Sequence, residues 1–305
     1  MSGMKIVVVI ATCGRQRLLE RTLASLTQCR IPEGFEGTIV VENGSRNGAD
    51  QVVRQAASAL KARYLFEQRG NKSRALNVAL RDAGDALLVF LDDDVRAGEA
   101  LLESYATAAS VEGRGYFFGG PVTPEYEETP PAWLVKFLPF SARGYDSLPT
   151  TWNWFLGFNW AAYSDDLKRV GGFDERLGPG GISGGIGDET ELQMRLRAAG
   201  LSARYVPGAL VHHWIPRDRC SPEWVLRRRY SYGVLTALMT NTPLALLRAA
   251  AADCVRALFH EVDGDSIARF AARHELRRNL GIIRGMLLRR RYREAAPQGL
   301  QGEGW

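Results

Sequence analysis

Cysteine is scarce and scattered: four residues in 305, Cys13, Cys29, Cys220 and Cys254, with no CxxC pair. They read as ordinary thiols and point to a reducing compartment, hence the cytoplasm. No stretch offers about 18 uninterrupted apolar residues, so no spanning helix is expected. The opening MSGMKIVVVIATCG has an apolar run too short for a targeting region and is expected to be a first strand. Internal repeats and low-complexity segments are missing. Lysine is missing from residues 217–305, which hold 16 arginines and nine acidic residues. Residues 1–216 carry 23 basic and 25 acidic groups, so the net +5 arises in the C-terminal part alone. A basic surface confined to one end argues against a generally nucleic-acid-coating protein.

What is present is 46% hydrophobic and 24% charged, a globular balance, over a length suited to one large domain with an appendage. KIVVVIA (5–11), GTIVVENG (37–44), ARYLFEQ (62–68) and DALLVFLDDD (85–94) are strand-like runs without polar alternation. Between them, RLLERTLASLTQ (17–28), ADQVVRQAASALKA (49–62) and KSRALNVALRDA (72–83) have helical spacing. This alternation predicts an α/β fold, a Rossmann-like, mostly parallel sheet flanked by helices. Further on, YFFGGPVTPEYEETPPAW (116–133) predicts a strand and a proline-rich turn, and GPGGISGGIG (178–187) a mobile loop. DETELQMRLRAAG (188–200) predicts a helix and ARYVPGALVHHW (203–214) a last strand. The remainder reads as a basic helical extension, giving domains at 1–216 and 217–305.

In open sheets of this kind ligands bind beyond the carboxyl ends of the strands. Thr12 and Arg15 follow the first strand, Glu42 and Asn43 the second, Gly70 to Arg74 with Lys72 the third, and Asp92, Asp93 and Asp94 the fourth. Three adjacent carboxylates repel one another and do not belong in an apolar core. A solvated turn would hold them, but an apolar strand aims these at the ligand edge, where a divalent cation relieves the repulsion. Hard oxygen ligands suit Mg2+ or Mn2+ bridging a diphosphate. His212 and His213 lie on a strand and take opposite faces, so at most one completes such a shell. Asp188, Glu189 and Glu191 complement a helix dipole, and one of them can serve as general base for a hydroxyl nucleophile. TWNWFLGFNWAAYS (151–164) is dense in aromatics. Trp152, Trp154, Phe158 and Trp160 divide between core and a face that stacks on a ligand; Trp154, Asn159 and Trp160 are the candidates to meet the hydroxyl-bearing acceptor.

Seven ordered motifs, IATCGR, VENGS, GNKSRALN, FLDDD, VGGFDERLG, GDETELQMRLRAAG and VPGALVHH, resemble those of family 2 glycosyltransferases of the GT-A fold over roughly residues 4–216. The resemblance implies metal-dependent, inverting transfer of a sugar from a nucleotide-diphosphate donor, expected to be UDP-linked. The acceptor would be a hydroxyl of a saccharide or lipid-linked sugar, as in polysaccharide biosynthesis. By position it implies that Thr12 and Glu42 contact base and ribose, Glu42 standing where aspartate is more usual. Arg15, Asn43, Lys72 and Arg74 fall in the donor-binding set. Asp92 and Asp94 match the ends of the DxD motif and would hold the cation, Asp94 as the usual direct ligand, with Asp93 near the sugar or ribose. His213 aligns with the metal-ligating histidine. The usual Glu-Asp pair is inverted to Asp188-Glu189, so register gives Glu189 as base and residue type gives Asp188. Cys13 replaces a frequent aromatic.

Two other readings compete. A nucleotidyltransferase-like α/β protein is opposed by the 188–200 helix and the aromatic segment. A non-catalytic module docking on a membrane is opposed by the intact carboxylate-histidine set. Nucleic acid is not an expected partner, because the C-terminal arginines come with leucines and isoleucines rather than aromatics. In RRNLGIIRGMLLRRRYRE (277–294), Leu280, Ile283, Met286, Leu287 and Leu288 supply an apolar side. This helix either packs on the catalytic domain or lies peripherally on the anionic inner face of a membrane.

Overall fold

The computed structural model describes residues 4–146, 154–183, 185–240, 244–251 and 265–294. They form two compact units, Met1–Glu125 with Arg143–Glu175 and Asp188–Trp214, and Tyr126–Ala142 with Arg176–Gly187 and Ile215–Trp305. Two mid-chain segments thus group with the C-terminal part.

The strands are β1 (Ile6–Thr12), β2 (Phe35–Asn43), β3 (Arg63–Glu67), β4 (Leu87–Asp92), β5 (Val95–Ala97), β6 (Tyr116–Gly119), β7 (Val122–Tyr126), β8 (Asn159–Tyr163), β9 (Ser202–Tyr205) and β10 (Val211–Ile215). Seven form the main sheet, in the order β3-β2-β1-β4-β8-β6-β9. The first four are parallel, β8 runs antiparallel to β4 and β6, and β6 is parallel to β9. Every residue of β1 is buried, as a central strand covered on both faces requires. On one face the helix Lys72–Asp82 lays Ala75, Leu76, Ala79 and Leu80 into a core with Val7, Val9, Ile39, Val41, Leu88 and Phe90. Its start is set by Asn71, whose side chain accepts from Arg74 N at 2.9 Å.

The aromatic stretch supplies an interior strand, and this corrects two acceptor assignments. Trp160 is fully buried and stacks on Phe90 at 4.8 Å. Asn159 is equally buried; it donates to Pro121 O and Ala209 O, both at 2.8 Å, and accepts from Tyr105. Neither side chain can reach an acceptor. Both tie β8 into the sheet. Trp152 lies outside the described residues.

The expected last strand 203–214 is in fact two strands in different sheets. Pro207 lacks an N–H, and Ala209 N turns back to Val206 O at 3.0 Å, so β9 ends there. β10 then enters a small sheet ordered β5-β10-β7. This break delivers the histidine pair to the strand that follows the aspartates.

In the second unit, the helices Pro222–Met239 and Ser266–Glu294 pack along one another. Trp133, Phe137 and Phe270 form an edge-to-face cluster. The glycine-rich segment is tied down, with Gly178 N donating to Ile186 O at 3.2 Å and Ser183 Oγ to the same oxygen at 2.6 Å. No helix among the described residues is long and apolar enough to cross a membrane.

Candidate active site

Strand register gathers the first unit's polar residues. In β1, Ala11 is level with Asp92 and Thr12 with Glu42. Thr12 Oγ1 therefore donates to Asp93 Oδ2 at 2.6 Å, and Asn43 Nδ2 donates to Thr12 O at 2.9 Å. Thr12, Glu42 and Asn43 are buried. Both Glu42 oxygens are already engaged, accepting from Asn47 N at 2.7 Å and from the Tyr64 hydroxyl at 2.8 Å.

Two cations meet the aspartates. Arg15 reaches Asp93 Oδ1 at 2.5 Å and Asp94 Oδ2 at 2.7 Å. Burial works against its charge, but Asp94, Asp93 and Asp92 outweigh it and raise its pKa. Burial pushes Asp93 up to about 7, opposed by Arg15 and reinforced by Asp94. Lys72 pairs with Asp92 Oδ1. Burial disfavours the Lys72 charge too, but Asp92, then Asp188 and Glu189, raise its pKa. Lys72 therefore couples the aspartate cluster to the helix Asp188–Ala198. Arg74 is held instead by Glu67 at 3.6 Å and by Glu175.

His213 and His212 take opposite sides of β10, as the two-residue period requires. His213 is buried, stacks on Phe158 at 4.2 Å and puts Nε2 3.5 Å from Asp94 Oδ1. The pairing of Trp214 N with Asp94 O at 2.9 Å fixes that approach. His212 faces Glu125 at 4.0 Å instead. Among the described residues no three His, Cys, Asp or Glu side chains converge as a ready cage for a metal. One buried oxygen and one imidazole do converge. That donor set fits a Mn2+- or Mg2+-type ion whose remaining ligands arrive with a diphosphate and water.

Among the acidic residues of the helix Asp188–Ala198, the structure separates roles. Glu191 is bound by Arg195 at 2.7 and 2.6 Å, and Arg195 also donates to Gly172 O at 2.6 Å, so this pair braces the helix. Glu189 lies beside Gly157, where a Cβ would come within 3.2 Å of its carboxyl carbon. Burial first, and then neighbouring Asp188, raise Glu189 to about 8, with Lys72 acting in the opposite sense. A carboxylate with that proton affinity can take a proton near neutrality.

Glu175 is a site-shaping residue the sequence did not single out, and Phe158, one of the aromatic candidates, takes a role the sequence did not assign. Phe158 fixes the His213 ring across 55 positions, which no local pattern signals. Glu175 lies inside the quoted VGGFDERLG motif, and its motif-mate Phe173 exchanges hydrogen bonds with Asn77, its N donating at 2.8 Å and its O accepting at 2.9 Å. That docks the motif against the helix carrying Lys72 and Arg74.

The family model for glycosyl transferase family 2 matches residues 7–170. The chain belongs to this family. It is similar to validoxylamine A glucosyltransferase of Streptomyces hygroscopicus subsp. limoneus, with 34% identity over 224 residues covering 64% of this chain and 48% of that protein. It spans about half the length of that relative. It is also similar to the succinoglycan biosynthesis protein ExoM of Rhizobium meliloti, at 28% identity covering 73% of this chain and 71% of that protein. Among solved structures, a mannosyltransferase from Pyrobaculum calidifontis in complex with GDP-Man and Mn2+ superposes with a TM-score of 0.59 at 19% identity, covering 94% of this chain and 88% of that one. That likeness is one of fold: the chain has the GT-A arrangement of a mostly parallel sheet flanked by helices.

Proposed function

We propose that this glycosyltransferase moves a sugar from a nucleotide-diphosphate donor, expected to be a UDP-sugar, to a hydroxyl of a saccharide or lipid-linked acceptor, with inversion and with a divalent cation. The observation that carries the reading is Lys72, which couples the Asp92 carboxylate to the Asp188–Glu189 pair. A group suited to a diphosphate and a group suited to a hydroxyl proton thereby lie within electrostatic reach of one lysine.

Arg15 and Lys72, each engaged with aspartates, are the cations available to a donor diphosphate. Asp94 and His213 would hold the cation, which offsets charge on the departing diphosphate. Glu189 accepts the acceptor hydroxyl proton while that oxygen forms its bond to the anomeric carbon. The bond from that carbon to the diphosphate breaks on the opposite side, giving inversion, and the proton ends on Glu189. Glu189 is favoured over Asp188 because its raised pKa suits that step and it packs against Gly157, the residue that leads into β8.

The direct test is release of nucleoside diphosphate from UDP-, GDP- and dTDP-sugars with Mn2+, alongside thermal shifts. One donor should stabilise the protein and be turned over. Release of pyrophosphate instead would identify a nucleotidyltransferase, and silence with every donor would sink the reading.

Trp154 remains the aromatic available to an acceptor. It is half-buried, and Arg197 lies over its ring at 5.1 Å. Trp154→Ala should raise acceptor KM about tenfold and leave donor affinity unchanged, since stacking on a sugar face is of that order. Kinetics with varied acceptor will show it; an unfolded variant would mean a core role.

A further inference from the structure

The roll of the C-terminal helix Ser266–Glu294 is set by three glycines. A Cβ at Gly281 would fall 2.1 Å from Tyr230 O, one at Gly233 2.0 Å from Arg278 O, and one at Gly285 2.6 Å from Val234 O. The helix therefore meets Pro222–Met239 backbone to backbone, burying Ile282 between the glycines. What this contact turns outward is not a plain apolar side. Arg277, Leu280, Arg284, Leu287 and Arg291 are all exposed, Leu280 by 41% and Leu287 by 70%. Alternate spacings of three and four place the five in one line about 21 Å long. The neighbouring acids do not neutralise it: Glu275 is paired with Arg229 at 2.5 Å, and Glu294 with Arg290 at 2.7 Å.

We propose that this stripe docks the protein peripherally on an anionic lipid surface. Guanidinium groups at regular intervals match a plane of headgroup phosphates, each offering several donors. The two leucines between them lie where side chains enter the boundary between headgroups and acyl chains. In water those leucines would gain nothing, and on a nucleic acid they would face phosphate with no aromatic partner for a base. The surface is a ridge backed by a second helix, which suits a flat partner. The docking needs nothing from the first unit.

The test is co-sedimentation of the full chain with vesicles of phosphatidylglycerol and phosphatidylcholine in equal parts, and of phosphatidylcholine alone, at low and high salt. Binding should occur on the anionic vesicles and fall at least about tenfold in high salt. The triple variant Arg277→Glu, Arg284→Glu, Arg291→Glu should lose it, and Leu280→Asp with Leu287→Asp should weaken it at low salt. A control with equal charge change on exposed arginines elsewhere, Arg30→Glu, Arg54→Glu and Arg169→Glu, should retain it. Circular dichroism melts establish that each variant is folded. A full chain that stays in the supernatant, equal binding to neutral vesicles, or equal losses in stripe and control variants would overturn the proposal. So would retention by an acidic protein or RNA with no lipid binding.

Discussion

Glu189→Gln should lower turnover roughly a thousandfold while leaving donor affinity within about twofold, because it removes a proton acceptor and little else. Single-turnover assays at saturating donor, with donor affinity measured separately, will check both. Asp188→Asn should cost less, and its more damaging outcome would move the base to Asp188. The wild-type kcat/KM should climb as pH rises through about 8, where Glu189 gives up its proton, and level off above it. The glutamine variant should show only a flat remainder. Stability should move the other way. Glu189 has a pKa of about 8 in the fold against an ordinary 4.5, so the fold favours its neutral form. That contribution is full below about pH 4.5 and is lost as pH rises through about 8. Glu189→Gln keeps a neutral side chain at every pH, so its melting temperature should exceed wild type by a few degrees at pH 9 and match it at pH 5. An activity loss with no such crossover would speak for damage to the fold.

Asp94→Ala should abolish transfer, by about a thousandfold or more, since it removes the one aspartate that faces both Arg15 and His213. His213→Ala should cost more than His212→Ala, whose side chain points to Glu125. A readout independent of turnover is Mn2+ binding followed by electron paramagnetic resonance. Two protein ligands alone should bind Mn2+ weakly, and a nucleoside diphosphate should tighten it by at least about tenfold. His213→Ala should reduce that gain. Equal tolerance of both histidine changes would mean that carboxylate and diphosphate alone hold the ion.

The aspartates show how a short-range signal carries a site. An apolar run ending in three carboxylates at Asp92 to Asp94 can be placed from sequence, because strand period and charge repulsion are local properties. The same holds for the opposite faces of His212 and His213, and for the alternating strands and helices of residues 5–94. The amino-acid sequence alone thus determined the fold class, the family and the set of polar residues that follow the strands.

Partnership across the chain was decided only in three dimensions. Trp160 and Asn159 sit among residues that suggest a sugar-binding face, yet β8 carries them into the sheet interior, where Phe90 and Tyr105 claim them. Nothing local separates a core tryptophan from a stacking one, since both are large and apolar. Glu191 resembles a base as much as Glu189 does until Arg195, one turn on, takes it. Lys72 feels both Asp92 and the Asp188–Glu189 pair only once the fold is formed. The face of the C-terminal helix follows the same rule: its arginines and leucines are plain in the sequence, but close approach at Gly233, Gly281 and Gly285 decides which of them meets solvent. Periodicity is a property of neighbours along the chain, whereas burial and ion pairing depend on what packs opposite.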